Sequence, residues 1–259
     1  VAEISSQDDV RRGWVDMGFP TIAGTATTNG ASSGTPPVNL PTGITAGDTL
    51  IVLIRMALVG AISWPAGWTE LFDDVSDASD DQTAAGWRKA DGTEGATVTL
   101  TFGGGTAKFA ALAWRITGAA DPTVTPPEFA TLATGTDANP DPGSLSPTGG
   151  AKDFLWLAVG GWEGEQTSPP GTFPANYTLS QIGADTGTVG LTESNCRVVG
   201  AGRQLNAASE NPGAYTISVA NDWTATTIAI HPGAGGGSSA SGLGGSMLKR
   251  RHRGIRLLG

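Results

Sequence analysis

Cysteine and histidine are almost missing from this chain. Its 259 residues include one cysteine, Cys196, and two histidines, His231 and His252. A single cysteine excludes an intramolecular disulfide, and three such side chains are too few for an ordinary four-ligand zinc site. We expect Cys196 to be a buried, inert thiol, because the sequence offers it no suitable imidazole partner.

A hydrolytic mechanism also lacks a well-supported base. His252 lies near the end of the sequence, and His231 ends the last predicted strand directly before Pro232 and a Gly-rich stretch. A base must be held within hydrogen-bonding reach of the group that it activates, and this position is a poor platform. We therefore interpret His231 as a strand-end residue and predict a protein that is not an enzyme and has no catalytic residues. A glycosidase or lyase that uses paired carboxylates is a lesser alternative.

Long apolar runs are scarce as well. The longest, at 50–59, is interrupted by Arg55 and is far too short to cross a bilayer. Residues 1–19 carry three Asp and one Glu, and they do not pair a basic stretch with an apolar one as a signal peptide does. We expect neither a membrane span nor a signal peptide.

Turn-forming and β-forming residues make up much of what is present. The chain has 39 Gly and 16 Pro, whereas charged residues are only 15% of it. The segments 50–56 and 154–159 are nearly continuous apolar runs, as expected for strands covered on both faces. The segments 97–102 and 215–219 alternate apolar and polar residues, which is typical of half-buried strands. These patterns predict an all-β protein.

A repeat divides the pattern into two halves. The order aromatic-Pro-Ala-small-aromatic-Thr at 64–69 recurs at 173–178, roughly 110 positions later. Arg88 and Glu94 correspond in the same way to Arg203 and Glu210. We predict a duplicated antiparallel β-sandwich of jelly-roll-like form, with two similar halves packed together. Whether the copies form two separate sandwiches or one body stays open at this point.

The repeat and the composition suggest five segments. They are an N-terminal arm at 1–18, sandwich copy one at 19–118, sandwich copy two at 127–232, a Gly/Ser linker at 233–246, and a basic anchoring tail at 247–259. A Pro-rich connector joins the two copies. The linker composition is that of a flexible tether.

The positive charge at the end of the chain predicts a docking segment. The net charge is −9, yet all five basic residues after Arg203 fall within the last eleven positions. An acidic body repels nucleic acid and anionic membranes, while a basic tail with apolar ends attracts an acidic protein groove. Contact of the tail with nucleic acid or lipid is the alternative. The predicted partner-docking residues are Met247, Leu248, Lys249, Arg250, Arg251, Arg253, Ile255, Arg256, Leu257 and Leu258.

Two clusters of acidic residues are candidate ligand sites. Asp73, Asp74 and Asp77 lie in a dense acidic run whose oxygens could hold calcium, although the fixed spacing of a known calcium loop is absent. A solvated acidic loop is the alternative. Trp162 beside Glu163 and Glu165 would suit a saccharide, because an aromatic platform stacks on a sugar ring. The alternative is that Trp162 packs on the body.

Several ordered segments resemble a known group of proteins. The segments 47–52, 64–68, 87–94 and 113–118, with weaker counterparts at 153–158 and 205–210, resemble β-sandwich modules in structural proteins of tailed bacteriophages and related gene-transfer particles. Together they cover most of positions 19–232. The resemblance implies association with a virion and recognition of host surface glycans, and it brings no catalytic motif.

The resemblance and the residues together lead to a functional hypothesis. We expect a structural protein of a tailed-phage virion, either a head decoration or spike or a tail component, located on an extracellular particle and oligomeric in the assembly. Its basic tail would bind other virion proteins, and its sandwich would be exposed to bind host glycans. A carbohydrate-binding surface module of non-viral origin is the alternative hypothesis.

Overall fold

The described part of the protein is built of strands. A computed structural model describes residues 18–74, 81–163, 172–186 and 195–233. Within these ranges there is no helix that could cross a membrane. In chain order the strands are β1 (Thr21–Ser33), β2 (Pro37–Asn39), β3 (Thr49–Met56), β4 (Ile62–Ser63), β5 (Thr69–Asp74), β6 (Gln82–Lys89), β7 (Thr97–Thr99), β8 (Thr101–Phe102), β9 (Thr106–Thr117), β10 (Glu128–Phe129), β11 (Ala133–Gly135), β12 (Lys152–Glu163), β13 (Leu179–Asp185), β14 (Cys196–Ala207) and β15 (Trp223–Ile230).

Two large antiparallel sheets organise these strands. Sheet one has the order β1-β9-β3-β6-β5, and sheet two has the order β10-β15-β12-β14-β13, with β11 also paired to β15. The prediction of an all-β, antiparallel, sandwich-like fold is confirmed. Sheet one uses only residues 21–117, and sheet two uses only residues 128–230.

The two sheets share one connectivity. The strands β9, β3, β6 and β5 of sheet one occupy the same successive places as β15, β12, β14 and β13 of sheet two. This common order agrees with the sequence repeat, since repeated segments fall on matching strands. The origin of the repeat in a duplication stays a prediction.

Each sheet carries a thin covering layer on its outer face. The ribbons β2-β7 and β4-β8 cover sheet one, and they close an apolar core with residues such as Val38, Ile54 and Phe109. Over sheet two the corresponding contacts are single bridges, Leu145 to Glu210 and Thr172 to Thr216. We call sheet one with its cover the first unit, and sheet two with its cover the second unit.

The inner faces of the sheets form one shared core. Ile51 and Leu53 of β3 meet Leu155 and Leu157 of β12 in a single apolar cluster. Every residue of β3 is buried, because its alternate side chains enter the shared core on one side and the outer core on the other. The expected burial of this strand on both faces is confirmed. The shared core also shows that the two halves form one body, which the sequence left open.

The sheets stack so that edge strand β13 of sheet two lies against edge strand β1 of sheet one, and edge strand β5 of sheet one lies against β10 of sheet two. Strand β13 at the edge of sheet two contacts β1 and β9 at one edge of sheet one. At the opposite edge, Phe72 of β5 packs on Phe129 of β10 with ring centroids 5.4 Å apart. Each unit therefore covers the other along its whole width.

A buried polar cluster closes one end of the shared core. Arg55 pairs with Asp81 at 3.0 Å, and both side chains are almost fully buried. Lys108 of sheet one donates to Asn195 of the second unit at 3.0 Å. The thiol of Cys196 lies 3.5 Å from the carbonyl oxygen of Arg55, and burial raises the pKa of this thiol to about 12. The cysteine is therefore a packed thiol, as expected.

A glycine allows the two sheets to approach closely at Trp114. A Cβ on Gly200 of β14 would lie 2.4 Å from Cζ2 of Trp114 in β9. Trp114 is fully buried in the shared core, so neither the ring nor the backbone beneath it has room to move. Only glycine fits at this place without separating the sheets.

We expect Gly200→Ala to lower the free energy of unfolding by about 1–3 kcal/mol, the usual range for overpacking of a core. Urea denaturation measures the loss. Gly103→Ala is the matched control, because its Cβ would meet its nearest neighbours at 3.6 Å, and its effect should stay within about 0.5 kcal/mol. Equal effects of the two substitutions would contradict the tight contact between Gly200 and Trp114.

Candidate functional site

Several predicted site residues lie outside the described ranges. These are the partner-docking residues within 247–258, together with Asp77 of the calcium hypothesis and Glu165 of the glycan hypothesis. The docking role of the tail and the calcium site stay predictions.

The predicted sugar platform Trp162 is part of the core. Its side chain is fully buried, and its ring lies 6.4 Å from that of Tyr215 in the outer core of the second unit. Glu163 follows at the end of β12, where its backbone N–H donates to the carbonyl of Asp222 at 3.1 Å. Burial leaves Trp162 no free face for a sugar ring, so the placement supports the alternative that Trp162 packs on the body.

The two described residues of the calcium hypothesis end strand β5. An oxygen of Asp73 accepts a hydrogen bond from the Gln82 side chain at 2.5 Å, and Gln82 in turn accepts from the backbone N–H of Gly60 at 2.8 Å. Asp74 is the next and last residue of the strand. Across the described ranges, no three His, Cys, Asp or Glu residues are grouped as metal ligands.

His231 takes part in a contact that sequence reasoning missed. Its Nε2 lies 2.6 Å from a carboxylate oxygen of Glu128, and its ring meets the edge of Phe154 at 5.0 Å. The same carboxylate accepts from the hydroxyl of Thr148 at 2.8 Å. Glu128 stands 103 positions before His231, so no local motif could have shown the pair. His231 directly follows the last strand β15, as expected for a strand-end residue, and these contacts hold its side chain in place.

The geometry of His231 does not suit a general base. Its Nδ1 is buried and has no hydrogen-bond partner, while Nε2 is held by Glu128. Burial lowers the pKa of His231, and the nearby Glu128 carboxylate only partly opposes this shift. The nitrogen that would accept a proton is buried, although His231 is one of the residues that line a surface cavity of about 320 Å³. The pair therefore joins the start of sheet two to the end of its strand β15 and has a structural role.

An open groove lies on the surface of the first unit, and we call it the Trp68 groove. Its volume is about 340 Å³. The wall combines a tryptophan and aliphatic side chains with threonines and an Arg–Glu pair. The lining residues are Leu40, Pro65, Ala66, Trp68, Arg88, Thr93, Glu94, Gly95, Thr97, Val98 and Thr99.

The aromatic wall of the groove is held by a stack of two tryptophans. The rings of Trp64 and Trp68 lie 5.7 Å apart and 24° from parallel. Trp64 is seated on Gly86 of β6, where a Cβ would come within 2.7 Å of the ring. Between the two tryptophans, Gly67 adopts a φ of 85°, and the N–H of Trp68 donates to the carbonyl of Pro65 at 3.1 Å. This tight turn fixes Trp68, which is half-buried, at the edge of the groove.

The charged side chains of the groove are already paired. Arg88 donates to Glu94 at 2.9 Å, to Asp91 at 2.6 Å and to the carbonyl of Ala66 at 3.2 Å. Glu94 also accepts from the backbone N–H groups of Asp91 and Gly92. Burial opposes ionisation of Glu94, but these hydrogen bonds outweigh it and lower the pKa of the carboxyl group. Arg88 and Glu94 therefore carry opposite charges that offset each other. Most of their hydrogen-bonding groups already have partners within the protein.

The second unit repeats this arrangement with one change. Arg203 pairs with Glu210 at 2.7 Å, as Arg88 does with Glu94. Asn176 has a φ of 67°, like Gly67, and the N–H of Tyr177 donates to the carbonyl of Pro174 at 3.1 Å. Tyr177 corresponds to Trp68 but is fully buried, and its hydroxyl lies 3.4 Å from the Glu210 carboxylate. Both aromatic side chains pack against the outer core of their own unit, but Tyr177 is covered completely whereas Trp68 is only half-buried and borders the groove.

The Trp68 groove offers an aromatic surface and threonine hydroxyls, and the one carboxylate among its lining residues, Glu94, is paired with an arginine and with the backbone. Trp64 and Trp68 mark the repeat in the sequence, but the groove itself could not be predicted, because it depends on how completely the neighbouring segments cover Trp68. Comparison of the chain with protein-family models, with curated proteins and with solved structures finds no match.

The burial of His231 predicts a pH-dependent stability. Because the folded state lowers the pKa of His231 below its ordinary 6.5, the unfolded chain binds more protons as the pH falls from about 7.5 to 5.5. The free energy of unfolding should therefore decrease over this interval. Urea denaturation at several pH values measures the slope.

His231→Gln should remove most of this slope, and His252→Gln should leave it unchanged. These are the only two histidines of the chain, so the pair of variants isolates the titrating group whatever their absolute stabilities. An unchanged slope in His231→Gln would show that another group is responsible.

Proposed function

We propose that this protein is a non-catalytic structural protein of a tailed-phage particle, and that its body recognises glycans of the host surface. The observation that carries the recognition part is the Trp68 groove, with its fixed aromatic wall, its hydroxyl groups and its paired charges. Sugar-binding sites combine an aromatic face with a few placed polar groups. The groove provides both on a rigid sheet.

The body has the properties of a rigid presenting scaffold. Its two sheets share one core, and a buried ion pair and an Arg–Glu pair in each unit fix the strands and turns. A surface site on such a scaffold keeps its geometry when the body is fixed to a larger assembly. This supports an architectural role without any reactive group.

The particle association rests on the sequence. The segments that resemble tailed-phage modules fall on the strands and turns of both units, and the basic residues of 249–256 follow a Gly- and Ser-rich stretch. An acidic body on a tether with a basic end is suited to docking on a larger assembly while the body stays exposed.

The second candidate function is that of a non-viral carbohydrate-binding surface module. The Trp68 groove supports this function as well as it supports glycan recognition by a phage particle. The two functions differ in what the tail does, because a free module has no need of a basic docking segment. The fate of the tail therefore separates them.

Deletion of 247–259 should abolish incorporation into the particle and leave the body folded. The docking charges are lost, while all described core residues remain. Immunoblots of purified particles measure incorporation, and circular dichroism with thermal denaturation checks the fold. A variant in which Lys249, Arg250, Arg251, Arg253 and Arg256 are all changed to Gln keeps the length and tests the charge alone. Normal incorporation of the deleted protein would refute anchoring by the tail.

A further inference from the structure

We propose that the Trp68 groove binds an uncharged saccharide, and that each chain carries one such site because Tyr177 closes the equivalent place in the second unit. This inference rests on the proposed recognition function and gives it a ligand class, a set of residues and a stoichiometry. None of these could be read from the sequence.

The aromatic wall identifies the ligand as a ring with an apolar face. Trp64 supports Trp68 by stacking, so the exposed part of the Trp68 ring is held in a fixed orientation beside the cavity. The C–H face of a pyranose ring packs well on such a surface. The volume of about 340 Å³ is at the lower end of the range for small-molecule sites, and it fits one or two sugar rings.

The hydroxyl groups of strand β7 supply polar contacts. Thr97 and Thr99 are exposed, whereas Val98 between them is buried, so both threonines lie on the outer face of the strand and line the groove. A hydroxyl can donate and accept a hydrogen bond, as the hydroxyls of a sugar also do. The contact is therefore between neutral groups on both sides.

The paired charges favour a neutral ligand. Arg88 spends its donors on Glu94, Asp91 and Ala66, so a carboxylate on the ligand would have to displace one of them. A displaced Glu94, whose side chain is only 4% exposed, would be a buried charge without its partner, which is strongly unfavourable. The acidic net charge of the chain also repels an anionic sugar.

The second unit shows why one site is expected. Its Arg203–Glu210 pair and its turn match those of the first unit, but Tyr177 lies over the pair and is fully buried. Phe173 of the same turn packs on Tyr215 with ring centroids 5.7 Å apart. Trp64 and Trp68 also pack against the core of their unit, and the difference is that Tyr177 is fully buried while Trp68 is half-buried. A sugar in the second unit would have to displace Tyr177. Multivalent binding would then come from several chains in one particle.

The test is a titration of the full chain with neutral hexose oligosaccharides and with matched oligosaccharides that end in a uronate or in sialic acid. The chain has eight tryptophans, so eight indole N–H signals report on the two units separately in an NMR spectrum. A neutral oligosaccharide should shift the signals of Trp64 and Trp68 and leave those of Trp162 and Trp223 in place, and the Trp→Phe variant of each of these four residues assigns its signal. The affinity should change less than twofold between low and moderate salt, because a neutral oligosaccharide forms no ion pair with the protein.

Trp68→Ala should weaken binding about tenfold or more, which corresponds to about 1.4 kcal/mol. Trp68→Phe should retain part of the affinity, and Thr97→Val should weaken it about threefold. Val219→Ala is the matched control, because Val219 is an exposed apolar residue of the second unit, and it should leave the affinity unchanged. Thermal denaturation of each variant shows that the fold is kept.

Each contrary result has its own meaning. Unchanged binding in Trp68→Ala would overturn the assignment of the site, and shifts of Trp162 or Trp223 would overturn the single site. Preference for the acidic oligosaccharides, with loss of affinity in salt, would overturn the neutral ligand class and leave glycan recognition standing. Absence of binding to every oligosaccharide of the set would refute both this inference and the glycan recognition proposed above.

Discussion

Burial of both inner sheet faces in one shared core is the constraint on which the rest of this structure depends. Ile51 and Leu53 of one sheet and Leu155 and Leu157 of the other leave water only when the two sheets meet, and burial of apolar surface is the main favourable contribution to folding. Since the outer faces are covered as well, the central strands are largely apolar on both sides. The Trp68 groove lies outside this core, among the segments that cover sheet one.

The covering turns are where the two units differ. Both units keep an Arg–Glu pair, a residue with positive φ and an aromatic side chain in the same order. In the first unit Trp68 rests on Trp64 at the surface, and in the second unit Tyr177 enters the core. The aromatic residue after the positive-φ position is thus half-buried in one unit and fully buried in the other, and the groove lies where it is half-buried.

The fold was predictable from the sequence to a greater extent than the site. Continuous apolar runs at 50–56 and 154–159 indicate strands that are buried on both faces, and the pairing of Arg88 with Glu94 and of Arg203 with Glu210 follows the order of the repeat. The carboxylates that follow Trp162 suggest an exposed platform for a sugar ring. The strand pattern does not show that another segment covers this side chain. The Glu128–His231 contact joins residues 103 positions apart, and such long-range pairs leave no local pattern.

The shared core requires that the two sheets fold and unfold as one unit, since neither inner face is covered without the other. Differential scanning calorimetry of the intact chain tests this most directly. We expect a single transition whose calorimetric enthalpy equals the van't Hoff enthalpy, as for a two-state protein. Two separate transitions, with one sheet melting while the other remains folded, would contradict the shared core.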